Sequence, residues 1–107
     1  FIYTISMKKI AKEFVRCNFY HKQIIRVGNV AIYKRGPINS DYHHFEVVKI
    51  GRHNGYKAGS QFIEPAETYP GNSLWGLQGW THQDLESAEQ NFKVACKRFN
   101  KKVKQHA

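Results

Sequence analysis

At 107 residues, 41% hydrophobic and 14% aromatic, the chain is long enough for one domain with a modest core and too aromatic for a disordered polymer. Its 17 Lys and Arg against 8 Asp and Glu leave a formal charge of +9, which favours an anionic partner, a nucleic acid first and an acidic protein second. Cys17 and Cys96 stand far apart without a CxxC spacing, which excludes a disulfide scaffold or a cysteine-rich zinc module and suits a reducing, cytoplasmic setting. No run approaches the roughly 18 apolar residues of a membrane span and no secretory pattern is present, so a membrane is not an expected partner.

Residues 1–6 precede Met7 and read as a leader or N-terminal extension ahead of a single domain over residues 7–105. Met7, Ile10, Ala11, Phe14 and Val15 recur at three-and-four spacing, which predicts a first helix capped by Ser6 and ending near Cys17. Gln23 to Tyr33 carries β-branched runs on both sides of Gly28-Asn29, a two-residue hairpin signal that pairs Val27 with Val30 and Ile25 with Ile32. Those four residues share one apolar sheet face and should meet the helices. Lys34 to Asp41 reads as a loop. A third strand over Tyr42 to Ile50 puts Phe45 and Val47 on one side and Val48 and Ile50 on the other, with Glu46 as a polar interruption.

Asn54-Gly55 marks a second turn, after which Gln61-Phe62-Ile63 is expected as a fourth, antiparallel strand ended by Pro65. Residues 65–79 form a long aromatic loop. Thr81 and Asp84 have capping-box spacing, with Trp80 and Leu85 as the staple. Beyond them Leu85, Ala88, Phe92, Ala95, Cys96, Phe99 and Val103 trace the apolar stripe of a long final helix. The expected fold is therefore α+β: an antiparallel sheet of about four strands in two hairpins, covered on one face by an N-terminal and a C-terminal helix, with the other face open to solvent or to a ligand.

The final helix also sorts its charge. Asp84, Glu86 and Glu89 come first, and Lys93, Lys97, Arg98, Lys101, Lys102 and Lys104 follow with no acid among them. That order suits the helix dipole and leaves a strongly positive end. With Lys34, Arg35, Arg52 and Lys57 at loop ends, and Tyr33, Tyr42 and Tyr56 as stacking rings, these cations make a non-enzymatic phosphate-binding surface the leading functional expectation. One alternative is a protein-binding accessory or inhibitor protein that uses Trp75 and Leu77 as its anchor. Another is a small metal-dependent nuclease built on Glu46, Glu64, Glu67 and His44. The six histidines show no metal-ligand spacing, and no phosphate-cradling glycine motif is present, so no metal or cofactor is expected. Cys17 and Cys96 are expected near apolar helix faces as buried thiols.

Trp75-Gly76, then Gly79, then a helix with Leu85, Ala88, Phe92 and Phe99 leading into lysines resembles the WGR domain of DNA-repair proteins over about a third of the chain. The resemblance implies a small sheet with a helix packed on it and contact with DNA, although Leu77 stands where that family has its arginine. The helix and strand order also resembles the double-stranded-RNA-binding domain, whose cations sit at the start of its second helix, where this chain has Asp84, Glu86 and Glu89. The stretch from Tyr69-Pro70-Gly71 to Gly76 and Gly79-Trp80-Thr81 looks like small proteins of phages and mobile elements.

Overall fold

The computed structural model describes residues 7–100. Its centre is the hairpin of β2 (Phe19–Val27) and β3 (Val30–Pro37), with Val27 opposite Val30 and Ile25 opposite Ile32 as the sequence predicts, and a register shift between Gln23 and Ile25. Gly28 turns the chain at a φ of +61°, and a Cβ there would overlap the Asn100 side chain. Asn100 caps the end of the final helix and clamps this turn, accepting from the Asn29 backbone N–H at 2.7 Å and donating to the Val27 carbonyl at 2.8 Å. The register of the sheet and the position of the helix are thus tied at one point.

Five antiparallel strands make the main sheet, in the order β1 (Glu13–Arg16), β2, β3, β4 (His44–Lys49) and β9 (Gly79–His82). Helix α1 (Leu85–Phe99) crosses one face. Its buried Ala88, Phe92 and Ala95 pack on Val30, Ile32, Phe45 and Val47, with Trp80, Leu85, Cys96 and Phe99 at the edges. No helix among the described residues is long and apolar enough to cross a membrane.

Several sequence expectations change. The expected first helix is absent: residues 7–12 run extended and Glu13–Arg16 pairs with β2. Lys8 exchanges backbone hydrogen bonds with Pro65 and Glu67, and Cys17 and Asn18, at φ +54° and +66°, form the tight turn into β2. Ile10 and Phe14 are half-buried as the helical spacing required, but Val15 is 63% exposed, because alternation along a strand sends it outward. Cys17 is consequently exposed in a turn, whereas Cys96 is half-buried beside the core.

Residues 34–37 are strand, not loop, because β3 continues to Pro37. The segment 61–63 does not join the main sheet. It forms β7 (Gln61–Ile63), which pairs with β6 (Tyr56–Ala58) around a turn at Gly59, while β5 (Gly51–His53) pairs with β8 (Ala66–Thr68) to make the base of the same ribbon. The place beside β4 is taken by β9, with Val47 opposite Trp80, so Trp80 and Thr81 belong to a strand. Asp84 therefore caps α1, its carboxylate accepting from the Ser87 N–H at 2.7 Å.

The sheet face away from α1 is covered too. Ala31, Tyr33, Val48 and Ile50 form a second buried cluster under Ile10, Phe14, Tyr69 and Trp75. Residues 7–16 supply Ile10 and Phe14 to that cover, and the segment from β8 through a turn of 3₁₀ helix at Asn72–Leu74 supplies Tyr69 and Trp75 before the chain enters β9. Gly79 lacks a side chain where the Trp75 ring lies against it.

Candidate nucleic-acid interface

An α-helix ends with carbonyls that lack intrahelical partners, and cations gather favourably there. At the end of α1 the chain places three. Arg98 comes from the helix itself, its guanidinium carbon 5.1 Å from the centre of the Phe99 ring. Lys49, the last residue of β4, brings its ammonium to 5.7 Å from the same ring. Arg52 on β5 donates to the Asn29 side chain at 2.6 Å, and Asn29 in turn reaches the Phe99 carbonyl at 3.4 Å. Lys97 and, one turn earlier, Lys93 extend this surface along the exposed side of α1. Among the described residues none of Lys49, Lys93, Lys97 and Arg98 forms an ion pair. Arg52 touches Glu67 only at 3.9 Å.

The structure thus brings together Lys93, Lys97, Arg98 and Arg52 from the sequence-predicted set and adds Lys49. Lys49 is legible only in retrospect: it follows Phe45 and Val47 at alternate positions, so it belongs to the face that α1 covers. Lys34 lies on that face too, half-buried opposite Phe45 and away from the helix end. Lys57 is exposed on the ribbon. Lys101 and Lys102 lie outside the described residues. Of the stacking candidates, Tyr42 and Tyr56 are exposed, whereas Tyr33 is buried, accepting from Gln23 at 2.9 Å and donating to the Ala11 carbonyl at 2.9 Å.

Arg35 has a different place. It points to the face away from α1, donating from Nε to His21 Nε2 at 3.1 Å and from Nη1 to Glu46 at 3.4 Å, with its guanidinium carbon 4.1 Å from the centre of the Phe19 ring. Glu46 is buried and also accepts from the Tyr69 hydroxyl at 2.6 Å, and its other oxygen lies 3.0 Å from His44 Nε2. Burial pushes the Tyr69 hydroxyl well above its ordinary pKa, with the Glu46 charge adding to the effect. Burial depresses the His21 pKa, and the Arg35 charge lowers it further. Because His21 Nε2 accepts from Arg35, the ring proton sits on Nδ1, which has no hydrogen-bond partner among the described residues.

The acids of the nuclease alternative divide between two places. His44 meets Glu46, while Glu67 is held in a two-point pair with Arg26, at 2.7 Å to each oxygen, and accepts from the Ile10 N–H at 3.0 Å. These bonds lower the Glu67 pKa to about 2. Glu64 is exposed after β7 and bonds to neither site among the described residues. No group of three or more His, Cys, Asp or Glu among the described residues is arranged to hold a metal ion. The protein-binding pair is separated in character: Trp75 packs on the second cluster and donates to the Thr81 hydroxyl at 2.9 Å, while Leu77 is 61% exposed.

No family model, curated protein or solved structure matches this chain.

Proposed function

We propose that this chain is a small, non-enzymatic nucleic-acid-binding module whose footprint is the cationic end of α1. The observation that carries the reading is the convergence of Lys49, Arg52 and Arg98 around Phe99 and Asn29, with Lys97 and Lys93 alongside and no acid paired to the helix cations among the described residues. Such a surface neutralises phosphates and releases their counterions without reading base sequence. Glu46 and Glu67, which would otherwise weaken the positive field, are buried in pairs with Arg35 and Arg26.

The test is salt-titrated binding of the wild type and of the double variant Lys97→Glu with Arg98→Glu to duplex DNA, single-stranded DNA and structured RNA. The variant should bind all of them more weakly, and the slope of log affinity against log salt should shrink by about 1 to 2, according to strand type and how many phosphates the variant no longer neutralises. Lys57→Glu, on the ribbon, should change the slope less. An unchanged slope in the double variant overturns the footprint. Failure of the wild type to bind any nucleic acid at about 50 mM salt overturns the reading and leaves an acidic protein as the partner.

A further inference from the structure

On the sheet face away from α1 the strands and the covering segment enclose a cleft of about 380 Å³. That volume falls within the range of about 300 to 1,000 Å³ typical of small-molecule sites. Arg16 and Arg35 line it from β1 and β3, and Tyr69 and Trp75 line it from the covering segment, their rings stacked at 6.5 Å and 24°. The carboxylate in the lining is Glu46, already engaged by Arg35, His44 and Tyr69.

The Arg35 guanidinium is held on three sides, by His21, Glu46 and the Phe19 ring, so its orientation is fixed before any ligand arrives. Only two of its five N–H donors are used among the described residues, and neither is on Nη2. Arg16 is exposed on β1 at the rim, close enough for its charge to act on His21. Two guanidinium groups beside an aromatic wall match a ligand with an oxyanion at one end and a flat ring at the other.

We propose that this cleft binds a mononucleotide, with the phosphate on Arg16 and Arg35 and the base along Tyr69 and Trp75. The site goes beyond the nucleic-acid reading, because it lies across the sheet from α1. It is also narrower chemically: it needs phosphate and ring in one molecule.

Calorimetric titration of the full chain with the four nucleoside 5′-monophosphates, with inorganic phosphate and with adenosine tests it. At least one monophosphate should bind about tenfold or more tightly than either phosphate or adenosine alone, and Arg16→Ala should weaken it by about tenfold, as expected for loss of one charge-assisted hydrogen bond. Arg35→Lys should weaken it as well. Should that variant fail to fold, Arg16→Ala, at an exposed edge position, still decides. The α1 variant Lys97→Glu with Arg98→Glu should leave mononucleotide affinity unchanged, so the two proposals fail separately. Equal binding of phosphate, adenosine and all four monophosphates overturns the site, as does an Arg16→Ala protein with wild-type affinity.

Discussion

On the α1 side of the sheet, Val30, Ile32, Phe45 and Val47 meet Ala88, Phe92 and Ala95, all apolar side chains. On the other side, Ala31, Tyr33, Val48 and Ile50 meet Phe14, Tyr69 and Trp75 and share their buried space with His21, His44 and Glu46. The first face is closed by a rigid element whose side chains need only fit by volume. The second is closed by an irregular segment, and a carboxylate buried there must be matched group by group. Shape should govern stability on the first face, and hydrogen bonding on the second.

The largest effects should come from breaking each principle in turn. Phe92→Ala should cost about 3 to 5 kcal/mol, since it removes a buried ring and leaves a cavity, whereas Phe92→Leu should cost far less. Glu46→Ala should also cost about 3 to 5 kcal/mol, because Arg35 and the Tyr69 hydroxyl lose their acceptor. Here the near-isosteric Glu46→Gln should still cost about 1 to 3 kcal/mol, because a neutral amide replaces a carboxylate that faces three partners. Urea unfolding of the four variants measures all of this. A silent Glu46→Gln, or a Phe92→Leu as damaging as Phe92→Ala, would break the contrast between the faces.

The same contrast explains what is legible in the sequence. Leu85, Ala88, Phe92 and Phe99 carry the α1 face at helical spacing, and Val27 with Val30 fixes the hairpin, so both can be read locally. The other face assembles residues from separate stretches: His21, Arg35, Glu46 and Tyr69 touch only after β2, β3, β4 and the covering segment are in place. No periodicity announces such a set. Ile10 and Phe14 do face inward, but from an extended chain and a strand rather than a helix, since a few apolar residues at three-and-four spacing suit both a helix and an extended chain that pairs elsewhere. The basic surface is legible in Lys97, Arg98 and Arg52, because helix ends and ribbons display cations. Lys49 is not, because its place depends on which face α1 covers.

A smaller effect sharpens the comparison by pH. Glu67 has an ordinary pKa of 4.5, held at about 2 in the fold first by Arg26, with the Ile10 N–H also contributing. A depressed carboxylate pKa stabilises the protein above the unfolded value, and this stability is lost as pH falls from 4.5 towards 2. Glu67→Gln should therefore cost about 2 to 3 kcal/mol at neutral pH and flatten the stability curve across that acid window. Phe92→Leu should run parallel to the wild type there. A Glu67→Gln curve with the wild-type acid slope would mean that another group carries the titration.

The smallest expected effect lies at higher pH and belongs to His21. Its ring is buried beside Arg35, and Nε2 can accept the Arg35 N–H only while the imidazole is neutral. Burial is the leading cause of its lowered pKa, with Arg35 next and Arg16 weaker, while the Glu46 charge and the Phe19 backbone pull the other way. The unfolded chain therefore takes up the proton first as pH falls below the ordinary value of 6.5, which favours unfolding. Stability should be level above pH 6.5 and begin to decline below it, before the Glu67 decline sets in at 4.5. His21→Gln offers Arg35 an amide oxygen that does not titrate, so it should remove the upper decline and keep the lower one. Thermal melts from pH 8 to pH 3 read both windows at once. If His21→Gln leaves the upper decline in place, the imidazole is not the group that makes this face acid-sensitive, and the Arg35 contact is not what protonation breaks.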